Sequence, residues 1–135
     1  MSKTYTGSCL CGTANFELKG EFKKFFLCHC SRCQKTSGSA HCANLFAPEA
    51  QLDWLSGEEN LQLYQHPETH FSLTFCRTCG SNLPTDIPTR GLVKVPAGCL
   101  NTPVEISPQA HIFTDSRGNW DQGFVDVPSF EKMPS

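Results

Sequence analysis

Seven of the nine cysteines in this 135-residue chain fall into three short clusters. The clusters are Cys9-Leu10-Cys11, the stretch "CHCSRC" at positions 28–33, and the Cys76-x2-Cys79 pair within "FCRTCGS". Thiolates bind metal ions and act as nucleophiles or redox groups, so we expect the chemistry of the protein to lie here. Because nine is an odd number, disulfides within one chain cannot pair every cysteine.

The first and third clusters together supply the four ligands of a closed tetrahedral zinc site. Two residues between the cysteines of the third cluster let one tight turn direct both sulfurs at one ion. The cysteines of the first cluster lie on the same side of an extended segment, and a bend helped by Gly7 and Gly12 would bring them to one metal. We therefore predict a structural zinc site, whose binding energy contributes to folding. Its ligands are Cys9, Cys11, Cys76 and Cys79.

The central cluster leaves three cysteines, Cys28, Cys30 and Cys33. Three protein ligands and a free fourth position are typical of a catalytic zinc, and we predict these three as both ligands and catalytic residues. Two alternatives stay open: His29 closes the site as a fourth ligand, or the three thiols form a redox group without metal. In an extended stretch His29 points away from its two cysteine neighbours, which argues against the first. Three thiolates leave a net negative site, so we expect the second zinc to be labile or absent.

The other cysteines and the histidines lack this clustering. Cys42 and Cys99 are expected to be small buried hydrophobic residues. His41 is a candidate for supporting the metal ligands without itself binding the metal. The remaining histidines are expected to be structural or exposed: His66, His70 and His111.

Residues beside the central cluster are candidates for binding a small thiol. Arg32 and Lys35 would receive its carboxylates, since arginine in particular matches carboxylate geometry. Gln34 would offer neutral hydrogen bonds, and Phe46 and Trp120 are candidate pocket walls. For each of these residues the alternative is an ordinary surface or core role.

The composition excludes some partners and favours a reducing compartment. The net charge is -2 and there is no basic run beyond "KGEFKK", which argues against nucleic acid and anionic membrane surfaces. No apolar run approaches the length of a membrane span, and the start "MSKTYTGSCLCG" lacks the apolar region of a signal peptide. We therefore expect a cytoplasmic protein, in which clustered cysteines indicate metal binding more than disulfides.

The elements that must position these residues are mostly short strands. "TANFEL" and "HFSLTF" alternate between apolar and polar residues, and shorter candidates are "FKKFFL", "HCANLFA", "LQLYQ", "GLVKV" and "AHIF". The one helix signal covers a turn or two at "SRCQKTSG", closed by Gly38. We predict one mainly β domain over residues 1–135, with its core from about 5 to 130.

Six stretches resemble, in order, the signature blocks of one known family: "GSCLCG", "CHCSRCQKTSG", "FCRTCGSNL", "AGCLNTP", "PQAHIF" and "NWDQGFVDVPSF". The resemblance, from about Gly7 to Phe130, is to the glutathione-dependent formaldehyde-activating enzymes, a family that also includes relatives of centromere protein V. It implies an Mss4-like fold of short antiparallel sheets around a structural zinc, with little helix. It also implies the division of cysteines given above.

The family's name-giving activity is a carbon–sulfur lyase reaction that joins formaldehyde to glutathione. The resemblance therefore implies an enzyme that acts on glutathione or a related small thiol and its aldehyde adduct. The thiol would take the open position on the three-cysteine zinc. The alternative is a non-catalytic zinc module that carries a thiol or zinc, or binds a protein.

Overall fold

The computed structural model describes residues 3–134, and within them the chain is built mainly of short strands. The single α-helix is α1 (Ser31–Ser37), and five short 3-10 turns accompany it. The strands are β1 (Lys3–Ser8), β2 (Asn15–Gly20), β3 (Lys24–Cys28), β4 (Cys42–Pro48), β5 (Gln51–Ser56), β6 (Leu61–Gln65), β7 (Ser72–Cys76), β8 (Asn82–Leu83), β9 (Thr85–Ile87), β10 (Leu92–Pro96) and β11 (Ala110–Ile112). The 3-10 turns are Glu58–Asn60, Pro88–Arg90, Ala97–Cys99, Thr114–Ser116 and Phe124–Asp126.

The strands form three sheets, with orders β1-β2-β5, β11-β3-β4-β10-β9 and β6-β7-β8. The prediction of a mainly β fold with short antiparallel sheets and little helix is confirmed. One pair departs from it, because β11 lies parallel to β3 at the edge of the five-stranded sheet. Each stretch predicted as a strand forms one, to within about two residues at the ends, and α1 ends at Gly38 in the left-handed conformation. Strands β1, β5, β8 and β9 were not predicted.

The five-stranded sheet separates the hydrophobic core from a cavity. Side chains alternate along β4, so that Leu45 and Ala47 are fully buried in the core while Asn44 and Phe46 line the cavity on the other face. The sequence pattern of this sheet therefore places one set of residues in the core and a second set around the cavity.

The core also receives side chains from the sheet β1-β2-β5, including the fully buried Phe16 and Leu18. Gly7 lies within β1, where an added Cβ would stand 2.3 Å from the Phe16 ring and 2.5 Å from the Cys99 carbonyl oxygen. The expected role of Gly7 in a bend is therefore wrong, since this glycine permits close packing instead. The bend after Cys9 is formed at Gly12, whose φ is 81°.

Within residues 3–134 no helix is long and apolar enough to cross a membrane.

Candidate metal centres and the adjoining cavity

The first and third cysteine clusters meet in space. Their four sulfurs, those of Cys9, Cys11, Cys76 and Cys79, all lie within 4.8 Å of one another. The Sγ atoms of Cys9 and Cys11 are 3.6 Å apart, and those of Cys11 and Cys76 are 3.8 Å apart. Four soft sulfur ligands at these separations fit a tetrahedral metal ion such as zinc.

Two tight turns bring the four sulfurs together. The first turn follows β1 and closes with a hydrogen bond from the Gly12 amide to the Cys9 carbonyl. The second follows β7 and closes from the Gly80 amide to the Cys76 carbonyl at 2.8 Å. Gly80 adopts a φ of 77°, a left-handed conformation that glycine enters without strain. Each half of the site is therefore shaped by a turn that is local in sequence.

Polar groups next to these sulfurs suit a thiolate. The Ala14 amide donates to Cys9 Sγ at 3.3 Å, and the Asn60 side-chain amide donates to Cys76 Sγ at 3.5 Å. A hydrogen bond with the Ser81 hydroxyl, at 3.2 Å, is the main cause that lowers the pKa of the Cys79 thiol to about 5. Deprotonated sulfur is the form that binds metal.

The central cluster forms a second group of three buried sulfurs. Cys28 ends β3, Cys30 is the N-cap of α1, and Cys33 lies in the first turn of that helix. Their sulfurs lie within 4.8 Å of one another, and the Cys33 amide donates to Cys30 Sγ at 3.3 Å. A strand end and a helix start thus direct three ligands at one point, and these three sulfurs could hold a metal ion.

The thiols of this group differ in pKa. A hydrogen bond with the Cys33 thiol lowers the pKa of Cys28 to about 5, and the same interaction raises the pKa of Cys33. The Asn44 side-chain amide lies on the cavity face of β4 and donates to Cys33 Sγ at 3.9 Å. The interaction with Cys33 therefore favours the thiolate form of Cys28, which is the form that binds metal.

His29 is buried but lies outside the group of three sulfurs. Its Nε2 is 2.8 Å from His111 Nδ1, and its Nδ1 is 3.0 Å from Asp121 Oδ2. Arg117 Nε lies 3.1 Å from the same oxygen of Asp121. The ring therefore anchors the "CHC" loop to the C-terminal segment, as the extended-strand argument predicts, and its nitrogens are directed away from the sulfurs.

Gln34 joins the same anchor. Its side-chain amide donates to the His29 carbonyl at 2.6 Å and to the Ser116 carbonyl at 2.8 Å. His41 packs edge-on against the His29 ring, and its buried Nδ1 has no hydrogen-bond partner among residues 3–134. His41 therefore belongs to a group of three histidine rings with His29 and His111, and its support of the metal ligands stays a prediction.

The two unclustered cysteines differ. Cys99 is buried in the core, as predicted, and burial raises its pKa to about 12. Cys42 is half-buried and stands directly opposite Cys28 in the pairing of β3 with β4. Its thiol donates to the Cys33 carbonyl at 3.4 Å, and interaction with the Cys33 thiol lowers its pKa to about 7. Cys42 is thus a neighbour of the three-cysteine group rather than a simple core residue.

A cavity of about 1040 Å³ opens beside the three-cysteine group, and all three cysteines line it. Its floor is the outer face of the five-stranded sheet, and the β6–β7 hairpin and the start of α1 form walls. Aromatic rings of Phe26, Phe46 and Phe71 contribute to the lining, so Phe46 stands where a wall was expected. Trp120 is not among the lining residues, because it is 57% exposed and stacks on Phe124.

The cavity carries more positive than negative charge. Five basic side chains and one carboxylate, Asp86, line it, and Lys23 is already paired with Glu21 at 2.7 Å. The four other basic side chains of the lining are Lys24, Arg32, Arg90 and Lys94. Such a surface favours an anionic ligand.

The predicted thiol-binding residues are placed differently from one another. Arg32 lines the cavity. Lys35 is exposed on α1 and, like Gln34, is absent from the lining of this cavity. Lys24, Arg90 and Lys94 also line the cavity but were not predicted, because none of them is adjacent to a cysteine cluster in the sequence. Alternation in "GLVKV" was the available signal for Lys94, since it sets this lysine opposite two core valines.

Comparison with known proteins identifies the family of this chain. The family model described as glutathione-dependent formaldehyde-activating enzyme matches residues 4–116, and the chain belongs to this family.

A crystal structure of a Rhodobacter sphaeroides protein from a structural genomics programme is similar in fold, with a TM-score of 0.57. The two sequences are 24% identical, and the match covers 78% of this chain and 97% of that one. At this identity the likeness shows the fold alone. No curated protein matches the sequence.

Proposed function

We propose that this protein is a zinc-dependent carbon–sulfur lyase that acts on a small anionic thiol, such as glutathione, and its formaldehyde adduct. The observation that carries the proposal is the group of three buried sulfurs at one end of a positively charged cavity. Family membership supports the same reaction class. The four-cysteine group is assigned a structural role and the three-cysteine group the reactive one.

The donor set fits zinc at both groups, because thiolates are the ligands of structural and of open zinc sites. At the three-cysteine group, zinc would bind an incoming thiol and lower its pKa, so that the thiol is held as a nucleophilic thiolate. Cys28, Cys30 and Cys33 would hold the ion.

The residues around the group would position the substrate. Asn44 donates to Cys33 Sγ and so orients one of the three ligands. Arg32, Lys24 and Arg90 line the same cavity and would attract the carboxylates of the thiol. Holding thiol and aldehyde together in this cavity makes their addition effectively unimolecular.

The non-catalytic alternative predicts an exposed apolar patch or groove at the second zinc instead of a concave pocket. The cavity beside the three sulfurs favours the enzyme. A carrier would still bind thiol, so only turnover separates the two functions.

The test measures zinc per chain by native mass spectrometry, glutathione binding by calorimetry, and glutathione-dependent loss of formaldehyde. We expect two zinc ions, binding and turnover for the wild-type protein. Cys30→Ser keeps a hydroxyl that can cap α1 but removes the soft ligand. This variant should stay folded, retain one zinc ion and lose thiol binding.

Cys42→Ser is the matched control, because this thiol lies beside the three ligands but outside the group. It should keep both zinc ions and glutathione binding. A folded wild-type protein with both sites filled that binds no thiol would contradict the proposal, and one that binds thiol without turnover would support the carrier.

A further inference from the structure

Lys94 lies on the floor of the cavity, on a strand of the five-stranded sheet. It lies in the middle of β10, between Phe46 of β4 and Thr85 of β9 in the sheet register. Its neighbours Val93 and Val95 are buried in the core, so alternation turns Lys94 to the opposite face, where it lines the cavity. The lysine is therefore presented to the cavity by the centre of a sheet and not by a loop.

The ammonium group of Lys94 is held in place by uncharged partners. Nζ donates to the Ser72 carbonyl at 2.6 Å and lies 4.6 Å from the centre of the Phe71 ring. An ammonium has three hydrogens to donate, so this carbonyl leaves two of them for another acceptor. Among residues 3–134, no carboxylate lies within ion-pair distance of Nζ.

Partial burial of a cation without a carboxylate partner costs free energy, which other nearby groups must offset. Burial lowers the pKa of Lys94, while the nearby thiols of Cys33, Cys42, Cys28 and Cys30 act in the opposite direction. The three thiolates with a bound zinc ion would be net negative. Lys94 and Arg32 are half-buried cations of the cavity that the three cysteines line, whereas Lys24 and Arg90 are exposed.

We propose that Lys94 is a catalytic residue that binds the oxyanion formed when the thiol adds to the aldehyde. This inference rests on the proposed function. The thiol sulfur forms a bond to the aldehyde carbon, and the electron pair of the carbonyl π bond moves to oxygen. The proton that the thiol released on binding reaches this oxygen through water, so Lys94 stabilises the charge and is not consumed. The reverse steps release thiol and aldehyde.

The experiment compares Lys94→Met with the wild-type protein. Methionine keeps the length and apolar stem of the side chain but removes its charge and donors. We expect kcat for hydroxymethyl-thiol formation to fall about 100-fold, as for loss of one oxyanion donor. Glutathione binding measured without aldehyde should change by no more than about twofold, because the charge acts after the thiol has bound.

Three further measurements make the result decisive. Lys94→Arg should restore kcat to within about tenfold of wild type, because it restores a cation with donors. In Lys94→Met, zinc per chain and the denaturation midpoint should stay unchanged. If Lys94 had only a structural role through its contact with Ser72, these two quantities would fall. Lys19→Met, a surface lysine on β2 paired with Glu17, is the control without effect.

Two outcomes would assign Lys94 to another role. If Lys94→Met weakens glutathione binding while kcat is preserved, Lys94 anchors a carboxylate instead. If it lowers zinc content or stability in proportion to activity, Lys94 is structural. An inactive wild-type protein would remove the proposed function as well, whereas an active wild type with equally active Lys94→Met removes only this inference.

Discussion

The two cysteine groups differ in how much of the chain each connects. The four-cysteine group joins the turn after β1 to the turn after β7, and its Cys11 and Cys76 sulfurs lie 65 positions apart in sequence. The three-cysteine group lies within residues 28–33. Closing a long loop costs more conformational entropy than closing a short one. We therefore expect a metal in the first group to contribute more to the stability of the fold than a metal in the second.

The groups also differ in what surrounds them. The four-cysteine group is partly exposed, since Cys9 and Cys76 are buried, Cys79 is half-buried and Cys11 is exposed. Hydroxyls of Thr13 and Ser81 lie next to its sulfurs. The three cysteines of the other group are all buried, and they face the positively charged cavity. These surroundings are consistent with the proposed division into a structural site and a site that is open to a substrate.

The largest effect is expected from breaking the four-cysteine group with Cys76→Ser. Binding of a structural zinc supplies on the order of 10 kcal/mol to folding, and a domain's whole stability is usually about 5–15 kcal/mol. We therefore expect the variant to lose its cooperative unfolding transition in urea, which is monitored by tryptophan fluorescence. Cys99→Ala also removes a buried thiol but leaves the group intact, so it should keep a cooperative transition. A stable Cys76→Ser protein would refute the structural role.

A smaller effect is expected from Asp121→Ala, which tests the anchor behind the three-cysteine group. Loss of this buried carboxylate leaves His29 and Arg117 without their partner, and breaking a buried pair costs about 3 kcal/mol. Urea denaturation should show the loss, and a chelator should remove zinc faster from the three-cysteine group alone. Asp126→Ala, exposed in the same segment, is the control.

The cysteine grouping could be predicted from sequence because spacing alone limits which sulfurs share an ion. The anchor could not, since Asp121 and His29 lie far apart in the sequence and meet only in the tertiary structure. Lys94 could be placed opposite the core by alternation, but its cavity depends on the β6–β7 hairpin. Trp120 was a candidate for the pocket wall, but it lies on the C-terminal segment and stacks on Phe124.

Chelation tests the same comparison without mutation and should change stability less. A short treatment with a chelator is expected to remove one zinc ion per chain, from the three-cysteine group, and to abolish glutathione binding. The denaturation midpoint should shift little, because the remaining ion still closes the long loop. Native mass spectrometry gives the zinc count of each sample. Simultaneous loss of both ions with unfolding would contradict the division into a structural and an exchangeable site.

The smallest effect concerns pH and the His41 side chain. Burial lowers the pKa of His41, helped by the His29 and His111 rings and Arg117 and opposed by Asp121. In the unfolded chain a histidine gains its proton below about pH 6.5, whereas the folded His41 gains it only at a lower pH. Just below pH 6.5 the unfolded state therefore binds more protons than the folded state. The free energy of unfolding should therefore fall as the pH drops below that value. His41→Gln should reduce this dependence of the free energy of unfolding on pH, measured by urea titrations between about pH 5 and 7. An unchanged dependence would contradict the assigned role of His41. His66→Gln is the control, because His66 is not packed with the His29 and His111 rings.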